Sequence, residues 1–312
     1  MAILLNVVAP VFGVMLLGFL AVRIRVLDTA AVKGLVRFVF NFALPALLFR
    51  SLARTVLPPD MEWGFLLAFY GGSFFAYFLG MALGRFPFRR PLDQQAIFGM
   101  SAGFSNTVLL GIPVIITAFG PEASLPIFLI IAFHGPTLMP LTTALIQIGR
   151  GTELSLGAQV QGVVMELVRN PIIMALLLGF LVNLANISLP ASADRFLELL
   201  GAAAVPCALF AMGASLARYP LTGDVPPALV LVLVKLVIHP MVVWILAVPV
   251  LGLEGLWVAV AVTMAAMPSG INVYLFGARY DAAPGVAARS VLLSTVFSVA
   301  TLSTLLYLFG AG

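Results

Sequence analysis

Long apolar runs separated by short polar connections alternate along the whole chain. A membrane-spanning helix needs about 20 consecutive, mostly apolar residues. The runs are continuous rather than alternating at every second residue, which predicts helices and not the strands of a membrane barrel. We therefore expect an all-α integral membrane protein with ten transmembrane helices. The predicted spans lie near Ile3–Val22, Gly34–Ala53, Gly64–Gly84, Gln94–Phe119, Ala123–Ile148, Met165–Asn186, Ser192–Ala217, Pro226–Pro249, Glu254–Tyr280 and Val286–Phe309.

The composition agrees with a chain that is largely solvated by lipid. Of the 312 residues, 62% are hydrophobic and only 9% are charged, whereas soluble domains have about 25% charged residues. So few charges cannot cover the surface of a soluble enzyme, and a net charge of +4 forms no nucleic-acid-binding stripe. The single cysteine, Cys207, excludes an intrachain disulfide and a Cys-rich metal or haem site. We predict no metal site, no organic cofactor and no nucleic-acid partner.

The basic residues predict the orientation of the chain. Connections after odd-numbered spans contain twelve Lys and Arg residues, and the opposite connections contain three. Basic residues favour the cytoplasmic side, so both termini are expected outside the plasma (inner) membrane. The twelve are Arg23, Arg25, Lys33, Arg37, Arg85, Arg89, Arg90, Arg150, Arg169, Arg218, Arg279 and Arg289.

The two halves of the chain match each other at an offset of 161 residues. Pro10 falls on Pro171, and the string Leu-Leu-Gly-Phe-Leu occurs at residues 16–20 and 177–181. This offset joins span 1 to span 6 and span 2 to span 7, so the repeat unit has five spans. An odd number of crossings inverts the second copy, an architecture typical of secondary transporters. Chance matches in a generic helical bundle are the alternative, and channels can also contain repeats. We predict repeats over residues 1–150 and 151–312.

Glycine and proline interrupt the fourth span of each half. Gly111 and Pro113 lie in span 4, and Pro268 and Gly270 lie in span 9. Interrupted segments at corresponding positions of two repeats are the sequence signal for a transporter binding site. We therefore predict that these two spans are broken and cross each other.

Hydroxyl and amide side chains accompany both interruptions. They are Ser105, Asn106 and Thr107 in span 4, and Ser269 and Asn272 in span 9. Half-helix N-termini attract anions, and asparagine offers hydrogen-bond donors without a buried charge. We predict a substrate site for a small anion here. The alternative is that the prolines only kink their helices and the asparagines join helix to helix.

Three strings, in spans 2, 4 and 9, resemble the auxin efflux carrier family: FALPALLFRSLA, FSNTVLLGIPVI and AMPSGINVYLFGARYD. The resemblance covers the whole chain, and bacterial members are often described as malate, malonate or other organic-anion permeases. It implies a scaffold domain of spans 1, 2, 6 and 7, and a transport domain of spans 3–5 and 8–10 that moves like an elevator. It also implies that Pro113 and Pro268 mark the crossing and that Asn106 and Asn272 border the substrate.

Three further ionisable residues fall inside predicted spans. Lys235 and His239 are four residues apart and share one helix face, and His134 lies in span 5. Ionisable residues inside a membrane are rare and often functional. Lys235 either attracts the anion or responds to protonation, or it extends toward the membrane edge. His134 has a substrate or proton role, or it is a packing residue.

Together these observations predict a secondary transporter of a small mono- or dicarboxylate, auxin-like or malate/malonate-like. The alternatives are a sodium-coupled symporter with the layout of bile-acid carriers, and an anion channel. An enzyme is not expected, because no HExxH, GxSxG or paired intramembrane aspartates are present. The coupling ion, H⁺ or Na⁺, is left open. The resemblance also allows a homodimer through the scaffold helices.

Overall fold

The computed structural model describes residues 8–56, 62–151, 156–218 and 225–310, and the regular structure within these ranges is helical. The α-helices are α1 (Ala9–Arg23), α2 (Thr29–Phe38), α3 (Leu44–Arg54), α4 (Gly64–Arg85), α5 (Leu92–Gly103), α6 (Ile112–Phe119), α7 (Ser124–Gly149), α8 (Leu156–Arg169), α9 (Pro171–Leu184), α10 (Ala191–Ala202), α11 (Ala204–Leu216), α12 (Val225–Leu233), α13 (His239–Ile245), α14 (Gly255–Ala265), α15 (Ile271–Arg279) and α16 (Pro284–Leu308). The all-α prediction is confirmed for these residues.

Six helices in the described ranges are long and apolar enough to cross a membrane. A bent pair, Val160–Arg169 and Pro171–Leu184, makes a seventh if its halves form one span. Three shorter apolar helices remain, Ala9–Arg23, Thr107–Phe119 and Gly255–Ala265, and the count of ten spans stays a prediction. The six are Thr29–Arg54, Gly64–Arg85, Pro121–Gly149, Ala191–Leu216, Val225–Val250 and Pro284–Leu308.

Several prolines inside the apolar segments are accommodated without a break. Pro45, Pro113 and Pro240 each follow a single π-helical turn by two residues. In each case the residue before the proline donates its N–H to the carbonyl five positions earlier. A proline has no N–H and its ring crowds the preceding turn, so a wider turn lets the helix continue.

Close backbone contacts join helices from the two halves of the chain. α1 packs along α11, and α3 packs along α9. A Cβ atom at Gly18 would overlap the carbonyl oxygen of Phe210, and a Cβ atom at Gly179 would lie 2.7 Å from the carbonyl oxygen of Phe49. Both glycines must therefore lack a side chain. The two contacts are reciprocal, since Gly18 and Gly179, like Phe49 and Phe210, are 161 residues apart.

Apart from α8, which contacts both α7 and α9, the helices pack in two groups. The first contains α1–α3 and α9–α11, and the second contains α4–α7 and α12–α16. Ion pairs join α3 to α10 within the first group: the Asp194 carboxylate lies 2.9 Å from Arg50 Nε and 2.7 Å from an Arg54 guanidinium nitrogen. Fewer contacts connect the two groups, mainly those of α11 with α6 and with the turn before it.

Adding one methyl group at either reciprocal glycine should destabilise the protein. Gly18→Ala and Gly179→Ala are each expected to lower the free energy of unfolding by about 1–3 kcal/mol, because the contacting carbonyls must move. Gly13→Ala on α1 is the matched control, since nothing lies within 4 Å of its Cβ position. Thermal unfolding in detergent measures the difference. Equal stability of all three variants would contradict the close contact.

Candidate functional site

The chain leaves helical geometry for three residues between α5 and the π turn at Thr107–Gly111. Phe104 is extended, with φ −90° and ψ 110°. Asn106 has φ −78° and ψ 68°, and the Thr107 N–H donates to the Ser105 carbonyl at 2.9 Å. This geometry is an inverse γ-turn centred on Asn106. The first break therefore lies at residues 104–106.

The second break lies between α14 and α15 and pairs with the first. The Asn106 N–H donates to the Pro268 carbonyl at 2.8 Å, and the Gly270 N–H donates to the Phe104 carbonyl at 3.1 Å. Ser105 and Ser269 lie opposite each other in this antiparallel bridge. Each break thus supplies hydrogen-bond partners that the other lacks.

Side chains satisfy further backbone groups that the breaks release. The Ser105 N–H donates to His134 Nε2 at 2.9 Å. The Ser269 hydroxyl donates to the Ser101 carbonyl at 2.6 Å, and the Ser269 N–H donates to the Ser294 hydroxyl at 3.0 Å. Unpaired backbone groups cannot be tolerated in lipid, so these contacts keep both breaks stable. No sequence motif points to Ser101 or Ser294, because their roles depend on tertiary packing.

Of the four glycines and prolines predicted to interrupt the spans, two lie in a break and two do not. Pro268 and Gly270 lie in the second break, as predicted. The prediction that Pro113 interrupts span 4 is wrong: the helix is continuous over Thr107–Phe119, because the preceding π turn accommodates the ring. Gly111 is instead a packing position, since a Cβ atom there would lie 2.7 Å from Met264 Sδ.

A cavity of about 310 Å³ adjoins the first break and the start of α15. Five predicted substrate residues line it, four of them in the first break or in the helical segments after the breaks and one, His134, in α7. They are Ser105, Asn106, Thr107, His134 and Asn272. Ser269 does not line the cavity and lies behind it, fully buried. The opposite wall comes from the first helix group: Val36, Phe40, Asn170, Ile173 and Ser215.

His134 presents one ring nitrogen without a partner. Nε2 accepts the Ser105 N–H, so in the neutral ring the proton resides on Nδ1. Nδ1 is buried and has no hydrogen-bond partner among the described residues. The ring lies 4.5 Å from the Phe104 ring, centroid to centroid, which fixes its position at the cavity wall. The neutral ring therefore holds one buried N–H donor that has no acceptor in the described part of the chain.

Lys235 is fully buried and does not line the cavity. Its Nζ donates to Ser105 Oγ at 2.7 Å, so it lies one side chain behind the cavity wall. The interpretation in which this side chain extends to the membrane edge is wrong. His239 is also fully buried, and its Nδ1 atom lies 3.0 Å from Lys235 Nζ.

Comparison with known proteins decides the family. The model of a family described as membrane transport proteins matches residues 3–308. The chain belongs to the auxin efflux carrier family. The family resemblance of the sequence is thereby confirmed. Members of the family are transporters, which agrees with the expectation that the chain is not an enzyme.

Several relatives cover much or part of the chain. A proposed malonate transporter of Rhizobium meliloti is 29% identical over 316 residues, covering 100% of this chain and 98% of that protein. An uncharacterised transporter of Methanothermobacter thermautotrophicus is 28% identical over 95% of both chains. Auxin efflux carrier component 3a of rice (Oryza sativa subsp. japonica) is 28% identical over 46% of this chain and 24% of that protein. The protein is therefore a multi-pass membrane transporter of this family.

Removing the acceptor at residue 134 should destabilise the first break. His134→Phe leaves the buried Ser105 N–H without a partner, which is expected to cost about 1–3 kcal/mol of unfolding free energy. His134→Gln retains an acceptor and should cost less. Phe133→Leu is the neighbouring control, because Phe133 is exposed on the same helix. A His134→Phe protein that unfolds at the wild-type temperature would show that the contact is dispensable.

Proposed function

We propose that this protein is a secondary transporter of a small organic anion and works by elevator-type alternating access. The observation that carries the proposal is the pairing of two breaks beside a cavity lined by amide, hydroxyl and imidazole groups. In transporters built from repeats, such discontinuous helices form the substrate site near the middle of the membrane. The paired breaks support the predicted crossing of spans 4 and 9.

The lengths of the broken elements support an inverted repeat of five plus five spans. α5 has 12 residues and α14 has 11. At 1.5 Å per residue they extend about 18 Å and about 16 Å, much less than the roughly 30 Å of a bilayer core. Each must therefore combine with the helix after its break to cross the membrane. The reciprocal contacts of Gly18 and Gly179 also favour two copies related by a two-fold rotation.

The chemistry of the cavity favours an anion. The helical segments after the breaks begin at Thr107 and Ile271, and helix N-termini carry partial positive charge. The side-chain amides of Asn106 and Asn272 add hydrogen-bond donors at the cavity. No carboxylate belongs to the cavity lining formed by the described residues. The malonate assignment of a full-length relative favours a small dicarboxylate as the first substrate to test.

The location of the cavity suits relative movement of the two helix groups. One wall belongs to the first group, which corresponds to the proposed scaffold, and the other wall belongs to the second group. The Asn106 amide reaches the first group through a weak contact with Met212 Sδ at 3.2 Å. A substrate bound here would move with the second group and slide past the first.

In the proposed orientation, the cavity lies on the cytoplasmic side of the first break. The cavity extends from the break toward the ends of α7 and α15, which adjoin Arg150 and Arg279 on the predicted cytoplasmic side. On the opposite side, Ser51 Oγ on α3 lies 2.5 Å from Ser124 Oγ at the start of α7. This contact joins the two groups where the outer path would open.

The asparagines should determine affinity for the anion. Asn106→Ala and Asn272→Ala are each expected to weaken binding of malonate or another small carboxylate by roughly 5- to 150-fold. Replacement by Asp should be worse, because it places like charge beside the substrate. Asn41→Ala is the control, since Asn41 does not line the cavity and its amide donates to the Arg37 carbonyl. Titration of purified protein against a series of organic acids measures the effect. Normal binding and uptake by both alanine variants would overturn this site.

Cysteine labelling tests the orientation. With Cys207 replaced by Ala, cysteines at Met1 or Gly312 should react with impermeant reagents from outside, and one at Arg89 should not. Both terminal residues lie outside the described residues. The opposite labelling pattern would reverse the assignment of the cytoplasmic side.

A further inference from the structure

A fully buried ammonium group connects the two breaks. Lys235 lies in the π-helical turn Val234–Ile238, between α12 and α13. Its Nζ donates to the Ala265 carbonyl at 2.5 Å, to Ser105 Oγ at 2.7 Å and to His239 Nδ1 at 3.0 Å. Ala265 is the last residue of α14, and Ser105 lies in the first break. One nitrogen atom thus contacts both interrupted spans.

The neighbouring hydrogen bonds fit a charged lysine. The Ser73 hydroxyl donates to the Phe69 carbonyl at 2.8 Å, so its oxygen is left to accept from His239 Nε2 at 3.1 Å. This arrangement places the proton of His239 on Nε2 and its lone pair on Nδ1, facing Lys235. An ammonium group has three N–H donors, and three acceptors surround it. A neutral amine has only two N–H donors, so it would have to accept the Ser105 hydroxyl hydrogen instead.

The position is one that suits a cation. The C-terminal end of a helix carries partial negative charge, and half-helix ends and unwound carbonyls bind Na⁺ in many secondary transporters. Here the terminal carbonyl of α14 and the hydroxyl of the first break both point to Lys235 Nζ. A metal ion at the same oxygens would be in contact with the ammonium group, and like charges repel strongly in a poorly solvated interior.

The described residues offer Lys235 no fixed counter-charge. It forms no ion pair with a carboxylate there, and no cluster of three or more acidic, His or Cys residues suited to a metal is present in the same ranges. The titratable groups that face it are His239 on its own helix and His134 beyond Ser105. Ser105 both accepts from Lys235 and lines the cavity. A bound anion is therefore the natural counter-charge.

We infer that the Lys235 ammonium is the resident cation of the paired breaks, occupying the oxygen-lined position that a coupling Na⁺ would need. Transport by this chain then requires no sodium. The inference that transport requires no sodium rests on the proposed function. The role of Lys235 as the cation at the breaks does not.

Variants of the two lysines test the inference. Lys235→Met, which retains the aliphatic length without the charge, should reduce malonate uptake into proteoliposomes by about tenfold or more. Lys33→Met is the matched control, because Lys33 is the only other lysine of the sequence and is exposed on α2. It should stay within about twofold of wild type. Wild-type uptake should be equal in sodium chloride and in choline chloride. Wild-type uptake that requires sodium, or normal uptake by Lys235→Met, would overturn the inference.

A thermal-shift measurement decides the role of Lys235 even if the chosen anion is not transported. Lys235→Ala should unfold at a lower temperature than wild type, and ethylammonium chloride should partly restore it by supplying a small ammonium ion, whereas choline chloride should not. Sodium chloride should stabilise wild type no more than choline chloride does. A saturable stabilisation of wild type by sodium would show that the metal has its own site. Failure of every organic acid to bind would instead count against the proposed function.

Discussion

The rest of this structure depends on one constraint. A backbone segment that is not helical must still form its hydrogen bonds within the membrane. Lipid offers no partners, so each released N–H and C=O must find one inside the protein. The two breaks meet this demand together: Asn106 N–H binds the Pro268 carbonyl, and Gly270 N–H binds the Phe104 carbonyl. Neither break could persist alone. The interrupted helices, the cavity beside them and the buried polar cluster behind them therefore depend on one short antiparallel contact between the two halves of the chain.

Sequence reasoning identified the apolar segments, the family and the second break, because these depend on local composition and on local motifs. It misplaced the first break. Pro113 looks equivalent to Pro268, yet a π turn accommodates it and the chain opens at residues 104–106 instead. The structural pairing of Ser105 with Ser269 has an offset of 164, which neither the prolines nor the asparagines share. Whether a proline breaks a helix is decided by the turn before it, and the sequence alone does not specify that turn.

Ser105 shows why the polar cluster could not be assembled from sequence. Its N–H binds His134 and its hydroxyl binds Lys235, residues 29 and 130 positions away. Sequence spacing grouped Lys235 with His239 correctly, since they are one helical turn apart. It could not show that Lys235 is fully buried behind the cavity wall. A single serine thus transmits any change at the cavity to both ionisable groups, so substitutions at these positions should not be additive.

The two helix groups are held together by different forces, and this difference bears on the proposed movement. The first group contains backbone contacts so close that Gly18 and Gly179 have no room for a methyl group. The centre of the second group contains the network of Ser105, His134 and Lys235. Tight packing and satisfied buried polar networks both resist deformation. The polar contacts named between the groups are fewer: a sulfur contact and one serine pair. Movement at that boundary disrupts less than movement within either group, so the boundary is where rigid-body sliding costs least.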